Sequence, residues 1–358
     1  MSLKIGIVGL PNVGKSTLFN AMLKRQQALV ANYPFATIEP NVGIVDVPDD
    51  RLNKLADVTY RSEKVEPGFR IVPATVQFID IAGLVKDSHK GEGLGNQFLA
   101  HIREVDLILH VVRAFSDPNI IRSSSTNPDD DIVTVNTELL LADLSAATKM
   151  LESVKTEAKG GEKSAAHRAT GLEKIVQALQ AGFLASSALL SDEEKTTFGT
   201  LPFLTAKPVL LVYNADEANV NQSFQEGSIT ICAKLEGELS VLEPVEQQSY
   251  LESLQIAEPG LNRMIHRSYE MLGLISFFTA GPKEVRAWTV ARGTKAPKAA
   301  GVIHSDFERL FIRAQVIGWK EFIDAGSGRA AKEQGLFRIE GKDYFMRDGD
   351  VVEFLVGQ

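Results

Sequence analysis

Short apolar runs alternate along this chain with longer stretches of helical periodicity. Leu3–Val8, Val76–Ile79, Leu107–Val112, Val209–Tyr213 and Ile229–Ile231 are rich in Val and Ile and show little apolar–polar alternation. That texture belongs to strands buried on both faces, as in a parallel sheet. Strands of this kind separated by helices predict an α/β fold with a doubly wound, mainly parallel sheet.

Residues 137 to 200 break the rhythm. Leu140, Leu144, Ala147, Leu151, Val154 and Ala158 recur at alternating spacings of four and three, a narrow coiled-coil-type seam. "KGGEK" at 159–163 interrupts it, and Leu172, Ile175, Val176 and Leu179 begin another helix. The pattern predicts a helical hairpin, about 137–203, inserted between two sheet strands. Its basic residues (Lys149, Lys155, Lys159, Lys163, Arg168, Lys174) could touch RNA or simply form a solvated face. Past residue 273 the texture changes again. "GVIHSDFERLFIRAQV" reads as one short helix and a strand, and "KDYFMRDGDVVEFL" as two strands joined by an Asp-Gly turn. Two domains are expected, 1–272 and 273–358, the second a small α+β unit with Gly281-Pro282 near its start.

Composition narrows the setting. The 358 residues are 44% hydrophobic and 23% charged, with a net charge of −8. That balance argues against a broadly basic nucleic-acid binder, so DNA is not expected as a partner, while a local basic patch stays open. No apolar run approaches the ~20 residues a membrane span needs, and the N-terminus lacks a signal-peptide pattern. The single cysteine, Cys232, excludes an internal disulfide and a cysteine metal cluster, which suits a cytoplasmic protein.

Candidate chemistry starts at "IVGLPNVGKST". Gly9, Gly14, Lys15 and Ser16 fit G-x-x-x-x-G-K-[ST], after a predicted strand and opening a helix at "STLFNAML". Loop and helix N–H groups would cradle phosphates, Lys15 would reach the outer ones, and the Ser16 hydroxyl would hold Mg2+. "VQFIDIAGL" is an apolar strand ending in Asp80-x-x-Gly83. Asp80 could hold Mg2+ through water, and Gly83 leaves room for its N–H to approach a γ-phosphate. Lys15 and Gly83 are thus the candidate catalytic groups. Thr37 could supply a second hydroxyl to Mg2+ or be an ordinary loop threonine. Leu84 stands where Ras-like proteins keep the glutamine that orients water, so unaided turnover should be slow. His89, Asn96 and Arg122 could fold over the site or be plain exposed polar residues, and His110 reads as a satisfied core histidine.

"LVYNADEANV" bears on the base. Asn214-Ala215-Asp216-Glu217 replaces the Asn-Lys-x-Asp of a guanine reader, whose aspartate accepts from the ring N–H and the exocyclic amine. Adenine presents a bare ring nitrogen there. Glu217 is one methylene too long, and Ala215 removes the lysine stem that covers the base. Because a mismatched polar pair leaves buried groups unpaired, strong guanine selectivity should be lost.

Together "GLPNVGKST", "YPFATIEPN", "DIAGLVKDSHKGEGLGNQFLAHIREVD" and "NADE" resemble the YchF-type Obg-like ATPases. "TAGPKEVRAWTVARGTKAPKAAGVIHSDFERLFIRAQV" resembles the β-grasp TGS domain of that family. The likeness runs over nearly the whole chain; the hairpin and the linker Asn219–Gly227 match less closely. It implies a P-loop G domain with a coiled-coil insert and a TGS domain. It also implies Mg2+-dependent ATP hydrolysis and association with the ribosome, on the large subunit, with RNA contacts through the TGS and helical regions. Carried over by position, Asn12, Val13, Gly14, Lys15, Ser16 and Thr17 would surround the phosphates, with Ser16 and Thr37 on Mg2+. Asn214 and the Ala215 backbone would contact the base, and Cys232-Ala233-Lys234 would close over it. The step from lost guanine selectivity to ATP comes from this resemblance. An Obg-type GTPase and a nucleotide-dependent binding module with incidental hydrolysis are the other readings.

Overall fold

The computed structural model describes residues 3–30, 41–62, 65–81, 94–122, 127–158 and 163–357. The chain opens with β1 (Lys4–Val8), α1 (Lys15–Val30), β2 (Val42–Asp46), α2 (Asp50–Ser62), β3 (Arg70–Val72), β4 (Thr75–Asp80), α3 (Leu94–Glu104) and β5 (Leu107–Arg113). Next come α4 (Pro128–Ala158), α5 (Lys163–Gln180), α6 (Asp192–Phe198), β6 (Val209–Asn214), β7 (Ile229–Ile231), α7 (Ala233–Leu239), α8 (Pro244–Ser253) and α9 (Gly260–Met271). It closes with β8 (Leu274–Ala280), β9 (Glu284–Ala291), α10 (Ala296–Ile303), α11 (Ser305–Arg309), β10 (Phe311–Gly318), α12 (Trp319–Ala325), α13 (Gly328–Glu333), β11 (Arg338–Glu340) and β12 (Asp350–Val356).

Packing divides the chain differently from a single cut near residue 272. Met1–Ile44 and Gln77–Leu261 form one unit, Val45–Val76 and Asn262–Gln358 the other. In the first, all five expected apolar runs are strands of one sheet, ordered β2-β4-β1-β5-β6-β7. β1 pairs in parallel with β4 and β5, and β5–β6 and β6–β7 are also parallel. β5 is buried along its whole length, which is why its apolar run is unbroken. β2 escapes a reading by apolar runs because burial alternates along it and Ile44 is exposed. Parallel strands put the loops after β1, β4, β5, β6 and β7 on the same sheet edge, the usual ligand crevice of such sheets.

The inserted hairpin forms as expected, though α4 starts at Pro128, earlier than 137. The first turn explains the difference: Asn127 Oδ1 accepts from the Asp130 N–H at 2.9 Å, and Asp129, Asp130 and Asp131 suit the positive end of a helix. Ala147 and Val154 of α4 pack against Leu172, Ile175 and Leu179 of α5, with Leu140, Leu144, Leu151 and Ala158 partly buried beside them. Asp143 fastens the base of the hairpin. It is 2% exposed, and its carboxylate accepts from the N–H groups of Leu204 (2.9 Å) and Thr205 (2.7 Å) and the Thr205 hydroxyl (2.7 Å).

The second unit carries a sheet ordered β11-β10-β12-β8-β9-β3. The β8–β9 hairpin is antiparallel, β8 is parallel to β12, and α10 packs Ala296, Ala299 and Ala300 onto Ile275, Phe277, Val290 and Val316. This is a β-grasp arrangement. Residues 45–76 belong here because β3 extends the sheet beside β9, and Arg51 donates to both Asp49 and Asp348. Two local expectations change. The single helix before β10 is two, since His304 leaves helical geometry and its Nδ1 accepts from the Asp306 N–H at 3.2 Å, starting a new helix. The pair of strands joined by an Asp-Gly turn is one strand, β12, preceded by a stapled turn. The Asp350 carboxylate accepts from the Arg347 N–H and the Tyr344 hydroxyl, both at 2.8 Å, which holds 346–349 in a turn and leaves Phe345 with an isolated bridge to Lys295 in place of a strand.

Candidate nucleotide-binding site

The loop after β1 is built around two glycines. Gly9 and Gly14 have φ of +152° and +99°, and a Cβ there would strike the Val111 carbonyl oxygen and the Asn214 amide respectively. Only glycine meets both demands. Asn12 takes φ +63°, a conformation asparagine tolerates better than most residues. Lys15 then opens a sixteen-residue helix with no acidic residue in its first turn. Its free N–H groups and dipole leave a concavity suited to an anion.

Lys15 is 8% exposed and lies back along the loop, donating from Nζ to the Leu10 carbonyl at 2.8 Å. Register places Asp80 beside Ile7, so the end of β4 faces the loop. Burial lowers the Lys15 pKa, against the pull of Asp80; burial likewise raises the Asp80 pKa, against the pull of Lys15 and Ser16. Ser16 Oγ sits 3.5 Å from Asp80 Oδ2, while Oδ1 is buried without a hydrogen-bond partner. A half-satisfied carboxylate beside a hydroxyl that reaches it only at 3.5 Å is a donor set for a hard cation. Among the described residues no group of three or more His, Cys, Asp or Glu side chains could hold a metal.

Asn214, expected to meet a base, is largely committed to the protein. Its Nδ2 donates to the Val13 carbonyl and its Oδ1 accepts from the Ala233 N–H, both at 2.9 Å. It pins the β6 loop to the phosphate loop and to the start of α7, leaving one amide proton and one lone pair. Ala215 is 1% exposed and its N–H is bonded to Ile231 O at 2.8 Å. Glu217 and Lys234 are exposed, as are Ser16 and Thr17, whereas Val13, Cys232 and Ala233 are buried. Burial pushes the Cys232 thiol pKa up, away from reactivity.

His110 lies on β5 opposite Val8 and is buried, but it is not satisfied: Nε2 has no partner. Burial, with a smaller contribution from Lys15, lowers its pKa to about 4. A histidine depressed in the folded state contributes stability above its unfolded value of 6.5, and loses it as pH falls toward 4. At 1.36 kcal/mol per unit this amounts to roughly 3 kcal/mol. Denaturant unfolding of the protein and of His110→Gln, compared from pH 7 to pH 4, should show the parent losing more stability by about this amount. Parallel pH profiles would contradict the assignment.

Arg122 is not a free polar residue. Its Nη2 donates to the Arg113 carbonyl and to Asp131 of α4, at 3.1 and 3.0 Å. Asn96 lies in α3. Thr37, Gly83, Leu84 and His89 fall outside the described residues. Of the segment 113–122 after β5, the sequence reading singled out Arg122 alone. A fully buried strand ending in an arginine, Arg113, was the available signal, because a buried guanidinium must gather acceptors around it.

Comparison with known proteins agrees with this geometry. Residues 4–154 match the family model described as a 50S ribosome-binding GTPase, and residues 274–357 match that of the C-terminal region of YchF-type GTPases, described as a protein of unknown function. The chain is 47% identical to the ribosome-binding ATPase YchF of Escherichia coli O157:H7 over 99% of both sequences. It is 48% identical to the protein of the same name from Bacillus subtilis, again over 99% of both. Among solved structures, the YchF GTPase of Schizosaccharomyces pombe superposes with a TM-score of 0.86 at 34% identity, covering 99% of this chain and 98% of that one. Whole-length identity of this order, on one fold, means that the chain belongs to the YchF family.

Proposed function

We propose that the protein is a Mg2+-dependent ATPase that binds ribosomes and works as a nucleotide-state switch. The observation that carries the reading is the single sheet edge on which Lys15, Ser16 and Asp80 meet, joined through Asn214 to the loop that lacks a guanine reader. The relatives named ribosome-binding ATPase support it across the full chain. In this reading Gly9 and Asn12 to Thr17 surround the phosphates, and Lys15 swings from Leu10 O to the outer ones. Ser16, Thr37 and Asp80 hold Mg2+, directly or through water, and the Gly83 N–H meets the γ-phosphate. Asn214 with its remaining amide valences, Ala215, Glu217 and Ala233 border the base. When bound, Mg2+ neutralises charge on the β- and γ-phosphates. Turnover is slow because Leu84 offers water no hydrogen bond.

The ribosome-facing part is better sought in the C-terminal residues than in the hairpin, with the large subunit as the site. Lys155 and Lys174 of the hairpin are paired with Glu173 and Glu194 at 2.7 and 2.8 Å. Residues 273–358 carry 13 Lys and Arg against 11 Asp and Glu, whereas the rest carries 25 against 35. A polyanion such as RNA favours the first of these surfaces. The setting is the cytoplasm, in keeping with an absence, among the described residues, of any helix long and apolar enough to cross a membrane.

The test is a pair of dissociation constants, for ATP and GTP at fixed Mg2+, with co-sedimentation on ribosomes in each nucleotide state. ATP should bind at least as tightly as GTP, and pelleting should change with the nucleotide. A wide preference for GTP would move the protein to the GTPase reading, the activity under which the fission-yeast relative is described. Failure to pellet in any state would remove the ribosome.

A further inference from the structure

We propose that the hydrogen-bonded pair Ser116–Asp216 is a latch that determines base choice, by holding the Asp216 carboxylate off the base edge. The inference rests on reading 214–217 as the base loop. That loop carries two carboxylates. Glu217 is exposed at the start of a short turn. Asp216 is fixed: Oδ2 accepts from the Ser116 N–H at 3.1 Å and from its hydroxyl at 2.9 Å.

Ser116 can hold it because the segment carrying it is itself rigidly tied. Arg113, 5% exposed at the end of β5, donates to three carbonyls of the segment: Ile120 (2.8 Å), Asp117 (3.0 Å) and Phe115 (3.4 Å). Its guanidinium also lies 4.4 Å from the Phe115 ring centroid. At its far end the segment touches the phosphate loop, where the Ile121 carbonyl accepts from Asn12 Nδ2 at 3.2 Å. Residues 113–122 are thus a strap fastened to the phosphate loop at one end and to the base loop at the other. Arg113 is its positioning residue.

Base chemistry supplies the consequence. A carboxylate free to face the base would accept two N–H groups from guanine and meet the bare ring nitrogen of adenine. Fastened to Ser116, the Asp216 carboxylate does neither: it is not offered to guanine as an acceptor and does not oppose adenine, which leaves Glu217 as the one carboxylate of the loop free to move at the base.

Four variants decide the matter: Ser116→Ala, Ser116→Thr, Asp216→Asn and the double Ser116→Ala/Asp216→Asn. Dissociation constants for ATP and GTP are measured for each and for the parent at one Mg2+ concentration. Ser116→Ala loses the shorter of the two latch bonds, one to a charged group, and should shift the ATP-to-GTP affinity ratio toward GTP by about tenfold. Ser116→Thr keeps the hydroxyl, while Asp216→Asn and the double variant have no carboxylate to release; all three should stay near the parent ratio. An unchanged ratio in Ser116→Ala would overturn the proposal. So would an equal shift in the double variant, since the effect would then bypass the carboxylate, as a merely structural role of Ser116 requires. A parent that prefers GTP would count against the ATP reading, whereas the latch is judged only by the change on mutation.

Discussion

Lys15→Ala is expected to reduce nucleoside triphosphate hydrolysis by at least a hundredfold while leaving the fold intact. The ammonium is the one cation the described residues place inside the phosphate loop, 2.8 Å from Leu10 O. Removing one preorganised donor from a transition state commonly costs 10²–10³ in rate. Triphosphate binding should weaken more than diphosphate binding, because the side chain reaches toward the outer phosphates. Lys15→Met is the informative companion. It keeps the buried stem and removes only the charge, so a similar loss of turnover in both variants assigns the effect to the ammonium. Single-turnover hydrolysis and the two nucleotide affinities are the measurements. Turnover close to that of the parent in either variant would remove Lys15 from the chemistry.

A second large effect is expected far from the nucleotide. Asp143→Ala should lower the stability of the first unit by about 3 kcal/mol or more, since it strands the Leu204 and Thr205 N–H groups and the Thr205 hydroxyl in a buried place. The Thr205 Oγ also accepts from Ala185 N–H at 2.9 Å, so the loss spreads from α4 to the turn after α5. Burial pushes the Asp143 pKa up, although its three donors favour the charged form. Asp143→Asn keeps the shape but turns one acceptor into a donor, and should recover only part of the loss. Denaturant midpoints of the three proteins test this. A change under about 1 kcal/mol for the alanine would mean that the hairpin base is held by its apolar cluster alone.

Asp143 also shows where sequence reading stops. The seam from Leu140 to Ala158 announced the hairpin through helical periodicity, a local signal that survives without knowledge of the partner. Nothing local marks Asp143 as a clamp, since its partners lie about sixty positions away along the chain. The same division runs through the site. Gly9, Gly14 and Lys15 were legible because the left-handed turns and the strand-loop-helix context write themselves into a short motif. The position of Asp80, at the end of β4 beside the loop, was legible from the apolar run before it. The job of Asn214 was not. Its motif suggested a base contact, whereas its hydrogen bonds go first to Val13 and Ala233, two loops brought together only by the parallel sheet.

Contiguous residues or a regular period thus encode the parallel sheet, the phosphate loop and the hairpin. Long-range pairing packs residues 45–76 with the C-terminal sheet. It also makes strands of β2 and β3, and it ties residues 214–217 to the loop after β1 through Ser116 and the segment held by Arg113. Those outcomes depend on burial and pairing between segments far apart in the chain. Exposed edge strands carry too little apolar pattern to declare themselves. A buried arginine or carboxylate reveals its purpose only when the carbonyls and amides it satisfies have been brought around it.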